Sequence, residues 1–302
     1  MVDRPRRKFL RQLGGAALGV GGFLAASSAP GGQVADVLQE MLQKHYLRMS
    51  PEELQESLAR IERAALREHG AAILCSHAPP LPGVSFGMAL NLSRCVGARD
   101  CVRACVQENN CGRHDTLENI RVLSLPRGSW ALAEADPYYN PPQVPEAGRW
   151  YLPVQCQQCD DPPCVQNCPV RATWKEPDGV VVIDYDWCIG CRACAVACPY
   201  GARHFNWQKP AIPHGEMTTE THYLGNRPRP MGVMEKCTFC IQRTRNGLQP
   251  ACLEACRTGA RIFGNLLDPA SEIRHILATR PIYRFKEDLG SKPRFFYFVD
   301  AA

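Results

Sequence analysis

The sequence predicts an α+β fold: two tandem, pseudo-symmetric cysteine-rich units with long loop insertions, preceded by an N-terminal helical segment. Three observations predict it. Fifteen of the 17 cysteines fall into four groups. The groups repeat one another in pairs, which marks an internal duplication. Proline-rich stretches separate the first group from the second and the third from the fourth, while a strand signal, GVVVIDYDW, joins the second to the third.

The elements follow in chain order. The leader reads RRKFLRQLGGAALGVGGFLAASSAP, twin arginines ahead of a charge-free stretch from Gln12 to Ala35. It has the form of a twin-arginine export signal, residues 1–29, with cleavage near Ser28 or Ala29. Seven glycines in the stretch leave it weakly apolar, so an anchor helix is the lesser reading. Export implies a location on the periplasmic side of the cytoplasmic membrane. Net charge is +5, but residues 1–11 carry five basic side chains against Asp3, so the body is close to neutral. That gives no basic face for nucleic acid.

Residues 30–83 form a helical segment and linker. Ser50-Pro51-Glu52-Glu53 is a capping box with proline at the first helical position. Leu54, Leu58, Ile61 and Ala65 recur at helical spacing, and Gly70 closes the run. HAPPLPGV, residues 77–84, is a linker. The first unit is expected over 84–155 and 200–265, the second nested inside it over 156–199. The insertions, 112–155 and 200–236, are expected to be loop-rich, and loops of that length usually carry functional surfaces. FFYFVD, residues 295–300, is a last strand or a tail lying on a partner, within a C-terminal segment 266–302.

Group three, CIGCRACAVACP, places Cys188, Cys191, Cys194 and Cys198 ahead of Pro199. This is the C-x2-C-x2-C-x3-C-P run in which three thiolates hold one iron–sulfur cubane and the fourth reaches a neighbouring cluster. Group one, RCVGARDCVRACV, aligns Cys95, Gly97, Cys101 and Cys105 with Cys188, Gly190, Cys194 and Cys198, but puts Ala98 where Cys191 stands. Group two has Cys156, Cys159, Cys164 and Cys168; group four has Cys237, Cys240, Cys252 and Cys256. Cysteines three apart rarely meet disulfide geometry, and zinc sites need no fourth thiolate followed by proline. No H-E-x-x-H, G-x-S-x-G or glycine-rich nucleotide motif occurs, so the chain carries no catalytic pattern. His204 is a candidate for tuning a cluster by hydrogen bonding. Lys236, Arg243 and Arg245 are candidates for offsetting cluster charge. Cys75 and Cys111 fit no group and read as buried thiols, or as a disulfide formed after export.

CDDPPCVQNCP, DYDWCIGCRACAVACPYGARHF and EKCTFCIQR…PACLEAC resemble the four-cluster, ferredoxin-like electron-transfer subunits of the dimethyl-sulfoxide-reductase and polysulfide-reductase type complexes. The exported ferredoxin-like subunit of the dissimilatory sulfite-reduction membrane complex is similar too. The likeness spans roughly 84–265. It implies tandem bacterial ferredoxin-like units and pairs group one with four and two with three. By that pairing Cys156, Cys159, Cys164 and Cys198 hold one 4Fe-4S cluster. Cys168, Cys188, Cys191 and Cys194 hold a second, and Cys105, Cys237, Cys240 and Cys252 a third. Cys95, Cys101 and Cys256 are left with Ala98, a set that suits a 3Fe-4S cluster; a substitute ligand (Asp100, Cys111 or His114) and an empty site stay open. The resemblance implies a relay with no substrate site of its own. Its partners would be a polytopic quinone-interacting membrane subunit and a molybdopterin catalytic subunit, or a multihaem cytochrome in a complex lacking molybdopterin. A cluster-bearing structural or redox-sensor module is the third reading.

Overall fold

The computed structural model describes residues 43–113 and 117–300. The expected twin-arginine leader and His114 lie outside that range.

Helix Pro51–His69 begins and ends where its caps dictate. The Ser50 hydroxyl accepts from the Glu53 amide at 3.2 Å, and the Glu53 carboxylate accepts from the Ser50 amide at 2.8 Å. Gly70 ends the helix in the left-handed conformation (φ 66°), its amide donating to Leu66 O. Leu58, Ile61 and Ala65 are buried against the body of the protein. Arg60 points the same way and meets Asp186, two residues ahead of Cys188, at 3.2 Å. The helix is thereby tied to the third cysteine group. Among the described residues no helix is long and apolar enough to cross a membrane.

The core is a four-stranded sheet in the order Arg261–Asn265, Phe86–Asn91, Phe295–Phe298, Ile282–Tyr283. Phe86–Asn91 is buried along its whole length because both faces are covered. Phe86, Met88, Leu90, Phe295 and Tyr297 face the main core, whereas Ala89, Ile262, Phe296 and Phe298 face the helix Glu272–Thr279 through Ile273 and Ile276. The alternation is the period-two signature of a strand. Phe295–Phe298 pairs in parallel with Phe86–Asn91, so the FFYFVD segment is a core strand and not a tail laid on a partner. The antiparallel pairing of Phe86–Asn91 with Arg261–Asn265 joins the chain before group one to the chain after group four.

Between those ends the second pair of groups is enclosed. Helix Asp100–Glu108 packs on the turn Ala251–Glu254, and turn Pro163–Gln166 packs on turn Ala193–Val196. Group one thus meets group four, and group two meets group three. The hairpin Thr173–Lys175 with Val181–Ile183 connects the latter two. The expected strand 179–187 is shorter than its apolar run. Asp184 accepts from the amides of Asp186 and Trp187 and turns the chain towards Cys188.

The insertion expected to be loop-rich, 112–155, instead contains a long antiparallel hairpin, Ile120–Pro126 with Arg149–Gln155. The hairpin is a separate two-stranded sheet, and its prolines stand on strands with an open edge, where a missing amide donor is tolerated. The other insertion carries the short strands His204–Phe205 and Met234–Glu235, which pair with each other, and Glu220–His222, which pairs with Leu74–Ser76.

Candidate metal centres

Three of the four groups share one local construction. The amide of the last cysteine donates to a carbonyl three residues earlier, and its own carbonyl accepts from the residue three later, at Cys168, Cys198 and Cys256 alike. The residues that follow, Arg171, Gly201 and Gly259, all have positive φ. Group one departs from this pattern, because Cys105 lies inside the helix Asp100–Glu108. Groups one and three also match at their start. Gly97 and Arg99 (φ 76° and 57°) repeat Gly190 and Arg192 (71° and 65°). Gly97 is required twice over: a Cβ there would lie 2.4 Å from the Tyr151 ring.

The grouped thiols crowd along the molecule in the order of the four sets that the resemblance implies. Charges on Cys101 and Cys256 act on Cys95, which burial first of all pushes up to about 11. In the same site burial opposes the Cys256 thiolate, but hydrogen bonds from Thr258 and from the Ala260 amide at 3.3 Å outweigh it and leave the thiol below its ordinary value. Cys105, Cys237, Cys240 and Cys252 are all buried. Burial, then the neighbouring thiols, raises Cys105 and Cys240 far above a free thiol and Cys237 to about 12. Asn109 Nδ2 lies 3.5 Å from Cys105 Sγ and 3.7 Å from Cys240 Sγ, and the Phe239 amide lies 3.4 Å from Cys237 Sγ. In the third set burial, then Cys156, Cys164 and Cys198, push Cys159 up to about 12. In the fourth, Cys188 and Cys194 are buried together with Cys168 packed beside them, while Cys191 is exposed.

Adjacent sets touch electrostatically in one order. Cys101 of the first set acts on Cys252 of the second, Cys156 of the third on Cys237 of the second, and Cys164 of the third on Cys194 of the fourth. The two middle sets are buried almost throughout, and the outer two reach towards the surface. Burial and crowding hold the raised thiols, Cys95, Cys105, Cys159, Cys194, Cys237 and Cys240 among them, protonated without metal. Only a strongly bonding cationic group compensates their ionisation, and its binding releases the protons. Among the described residues no three Cys, His, Asp or Glu side chains stand close enough together to hold one metal ion.

Two of the three candidate substitutes for the missing thiolate at Ala98, Asp100 and Cys111, have other partners. Asp100 borders the first site, but its carboxylate is held by Arg257 and Arg103, which keep it below the usual carboxylate range. Cys111 is buried beside Cys105 and Arg229, on the side of the second set. Of the charge candidates, Arg243 pairs with Glu108 and Glu254, and Arg245 with Glu176 and Asp178, so carboxylates already face both guanidinium groups. Lys236 is fully buried among the thiols of the middle sets. His204 is kept neutral by burial and then by Arg121, with its pKa down near 4. Arg203 and Arg261 were missed as functional candidates. Arg203 Nη2 lies 3.0 Å from Cys164 Sγ, and Arg261 Nη1 lies 3.8 Å from Cys252 Sγ. Their spacing after groups three and four, five residues past the last cysteine in each case, was the available signal.

Residues 148–232 and 222–266 match a family model described as a 4Fe-4S dicluster domain. The chain is 34% identical to a selenate reductase subunit of Mesobacillus selenatarsenatis, over 97% of each. It is 36% identical to the menaquinone reductase iron-sulfur cluster-binding subunit of Nitratidesulfovibrio vulgaris, over 71% of this chain and 88% of that one. The chain belongs to the iron–sulfur subunits of the dimethyl-sulfoxide-reductase type complexes. A further relative, a tetrathionate reductase subunit of Salmonella typhimurium, is 34% identical over 72% of this chain and 73% of its own. As a member of this family the chain is a ferredoxin-like, 4Fe-4S electron-transfer subunit of a reductase complex.

Proposed function

We propose that the chain relays single electrons through four clusters in a row between a membrane quinone-interacting subunit and a molybdopterin catalytic subunit, with no substrate site of its own. The order runs from Cys95, Cys101 and Cys256, through Cys105, Cys237, Cys240 and Cys252, then Cys156, Cys159, Cys164 and Cys198, to Cys168, Cys188, Cys191 and Cys194. The observation that carries the reading is the linear succession of thiol sets, buried in the middle and near the surface at both ends. In this reading the first site takes a 3Fe-4S cluster, because Ala98 offers no thiolate, and the other three take cubanes.

The clusters supply the one-electron chemistry when bound. The chain's own residues fix their spacing, exclude water from the middle of the row and donate N–H groups to sulfur. Two nested units, 84–155 with 200–265 and 156–199, account for the pairing of the groups. Exposed apolar residues at both ends suit partner contacts. Tyr138 stands beside the first set, where Tyr139 donates to Gly97 O at 2.6 Å. Val196, Trp207 and Ile189 stand beside the fourth. The relative named for menaquinone favours a quinone-linked partner. The leader supports export by the twin-arginine route to the periplasmic side, with clusters inserted before export.

Anaerobic purification with iron and sulfide analysis tests this. About 15 iron atoms per chain are expected, three cubanes and one trinuclear centre. Electron paramagnetic resonance of the oxidised protein should show a sharp, nearly isotropic signal. Mixed with a purified quinol-oxidising membrane partner, the clusters should be reduced within turnover time. A colourless zinc protein, or one that takes no electrons from such a partner, would end this reading.

A further inference from the structure

Eight arginine or lysine side chains are buried in the described protein. Five have carboxylate partners there: Arg60 and Arg227 with Asp186, Arg229 with Glu235, Arg245 with Glu176 and Asp178, and Arg294 with Asp160. The other three, Arg203, Lys236 and Arg261, are at most 5% exposed and have no carboxylate partner among the described residues. A buried cation without a counter-charge is strongly disfavoured even after relaxation. The compensation has to come from something the polypeptide does not itself provide.

Their positions say what that is. Arg261 lies between the first and second thiol sets, its Nη1 3.8 Å from Cys252 Sγ and its charge acting on Cys95 and Cys101. Lys236 lies between the second and third, its Nζ donating to Cys237 O at 2.7 Å and its charge facing Cys156, Cys237 and Cys164. Arg203 lies between the third and fourth, its Nη2 3.0 Å from Cys164 Sγ and its charge facing Cys194. Arg203 Nε and Nη1 and Arg261 Nη2 are buried with no hydrogen-bond partner in the protein. Such orphaned donors are rare, and here each belongs to a guanidinium set between two thiol sets.

Resting on the four-cluster reading above, we infer that Arg261, Lys236 and Arg203 are junction cations, one between each consecutive pair of clusters, and that each sets the reduction potentials of both its neighbours. A thiolate-ligated cluster is an anion, and one-electron reduction adds a further negative charge beside the cation. An electron crossing a junction leaves one side of that cation and arrives on the other. The cation therefore favours the electron on both sides and does not turn either cluster into a trap. Hydrogen bonds to sulfur act in the same direction.

Redox titration of the purified holoprotein, followed by electron paramagnetic resonance, tests the assignment cluster by cluster. Lys236→Met should lower the reduction equilibrium constants of the second and third clusters at least tenfold, 59 mV each for one electron. The first and fourth should stay within threefold. Arg203→Gln should move only the third and fourth, Arg261→Gln only the first and second, and Lys236→Arg should restore the parent values. A neutral variant that loses both flanking clusters yet keeps the remote pair also supports the assignment. Unmoved midpoints at full iron content, equal shifts in all four clusters, or loss of the remote pair would overturn it. Failure of the underlying reading shows separately, as a wrong iron count in the unmutated protein.

Discussion

Replacing Ala98 with cysteine tests whether the first centre is a cubane site short of one ligand. The size of the effect follows from the backbone. Gly97 and Arg99 flank Ala98 at φ 76° and 57°, as Gly190 and Arg192 flank Cys191 at 71° and 65°. A cysteine at 98 therefore needs no change of chain path. It adds one sulfur at a half-exposed position, a change worth less than about 0.5 kcal/mol of stability. Its thiolate completes the ligand set of a cubane, so iron should rise by about one atom per chain. Iron analysis and electron paramagnetic resonance of anaerobically prepared protein provide the assay. The isotropic signal of the oxidised protein should vanish, and an additional signal should appear on reduction. Retention of the oxidised signal at unchanged iron content would refute the reasoning. So would an unmutated protein that already holds four complete cubanes.

Further outcomes follow from other parts of the molecule. Ser50→Ala removes the acceptor for the Glu53 amide and should cost about 1 kcal/mol, read as a lower urea midpoint at unchanged iron content. Ile273→Ala empties a fully buried position under the central sheet and should cost about 3 kcal/mol by the same measurement. Gly97→Ala combines an unfavourable φ with a clash on Tyr151; the oxidised isotropic signal should be lost while the three cubane signals persist. The buried His222 ring donates from Nε2 to Ala78 O and accepts at Nδ1 from the Leu224 amide, both at 3.0 Å, and burial, outweighing the bond to Ala78, pulls its pKa down to about 3. Its folded pKa lies below the unfolded value near 6.5, so its contribution is whole above that pH and falls as pH drops towards 3. Urea midpoints measured from pH 7.5 to 5.5 should fall, and His222→Gln should flatten the slope by about one proton.

What the sequence disclosed depended on how locally each feature is encoded. The cap at Ser50 and the stop at Gly70 are written in a few adjacent residues, and the structure places both accordingly. The hairpin Ile120–Pro126 with Arg149–Gln155 was hidden because Pro126 and Pro153 read as loop residues, although an open strand edge accepts them. Charges were the least legible. Arg243, Arg245 and Lys236 look alike beside group four. Only the fold shows that Glu108, Glu176 and Asp178, from earlier in the chain, face the two arginines and leave the lysine among thiols. Arg203 and Arg261 passed unremarked for the same reason, since a sequence counts a cation without saying how deep it lies. The proximity of Cys101 to Cys252, Cys156 to Cys237 and Cys164 to Cys194, which orders the row, is likewise a property of the folded chain alone.

The register of Phe295 opposite Met88 has a bearing on biogenesis. Every cysteine group is translated between those two partners, so the central sheet stays open until the ribosome has made all fifteen grouped thiols. A polypeptide interrupted anywhere along that span keeps one side of Phe86–Asn91 bare, an unpaired apolar ribbon of the sort that chaperones and proteases seize. The last strand of that ribbon to be paired is thus made after every grouped thiol, and the sheet is completed only on a chain that already carries all of them.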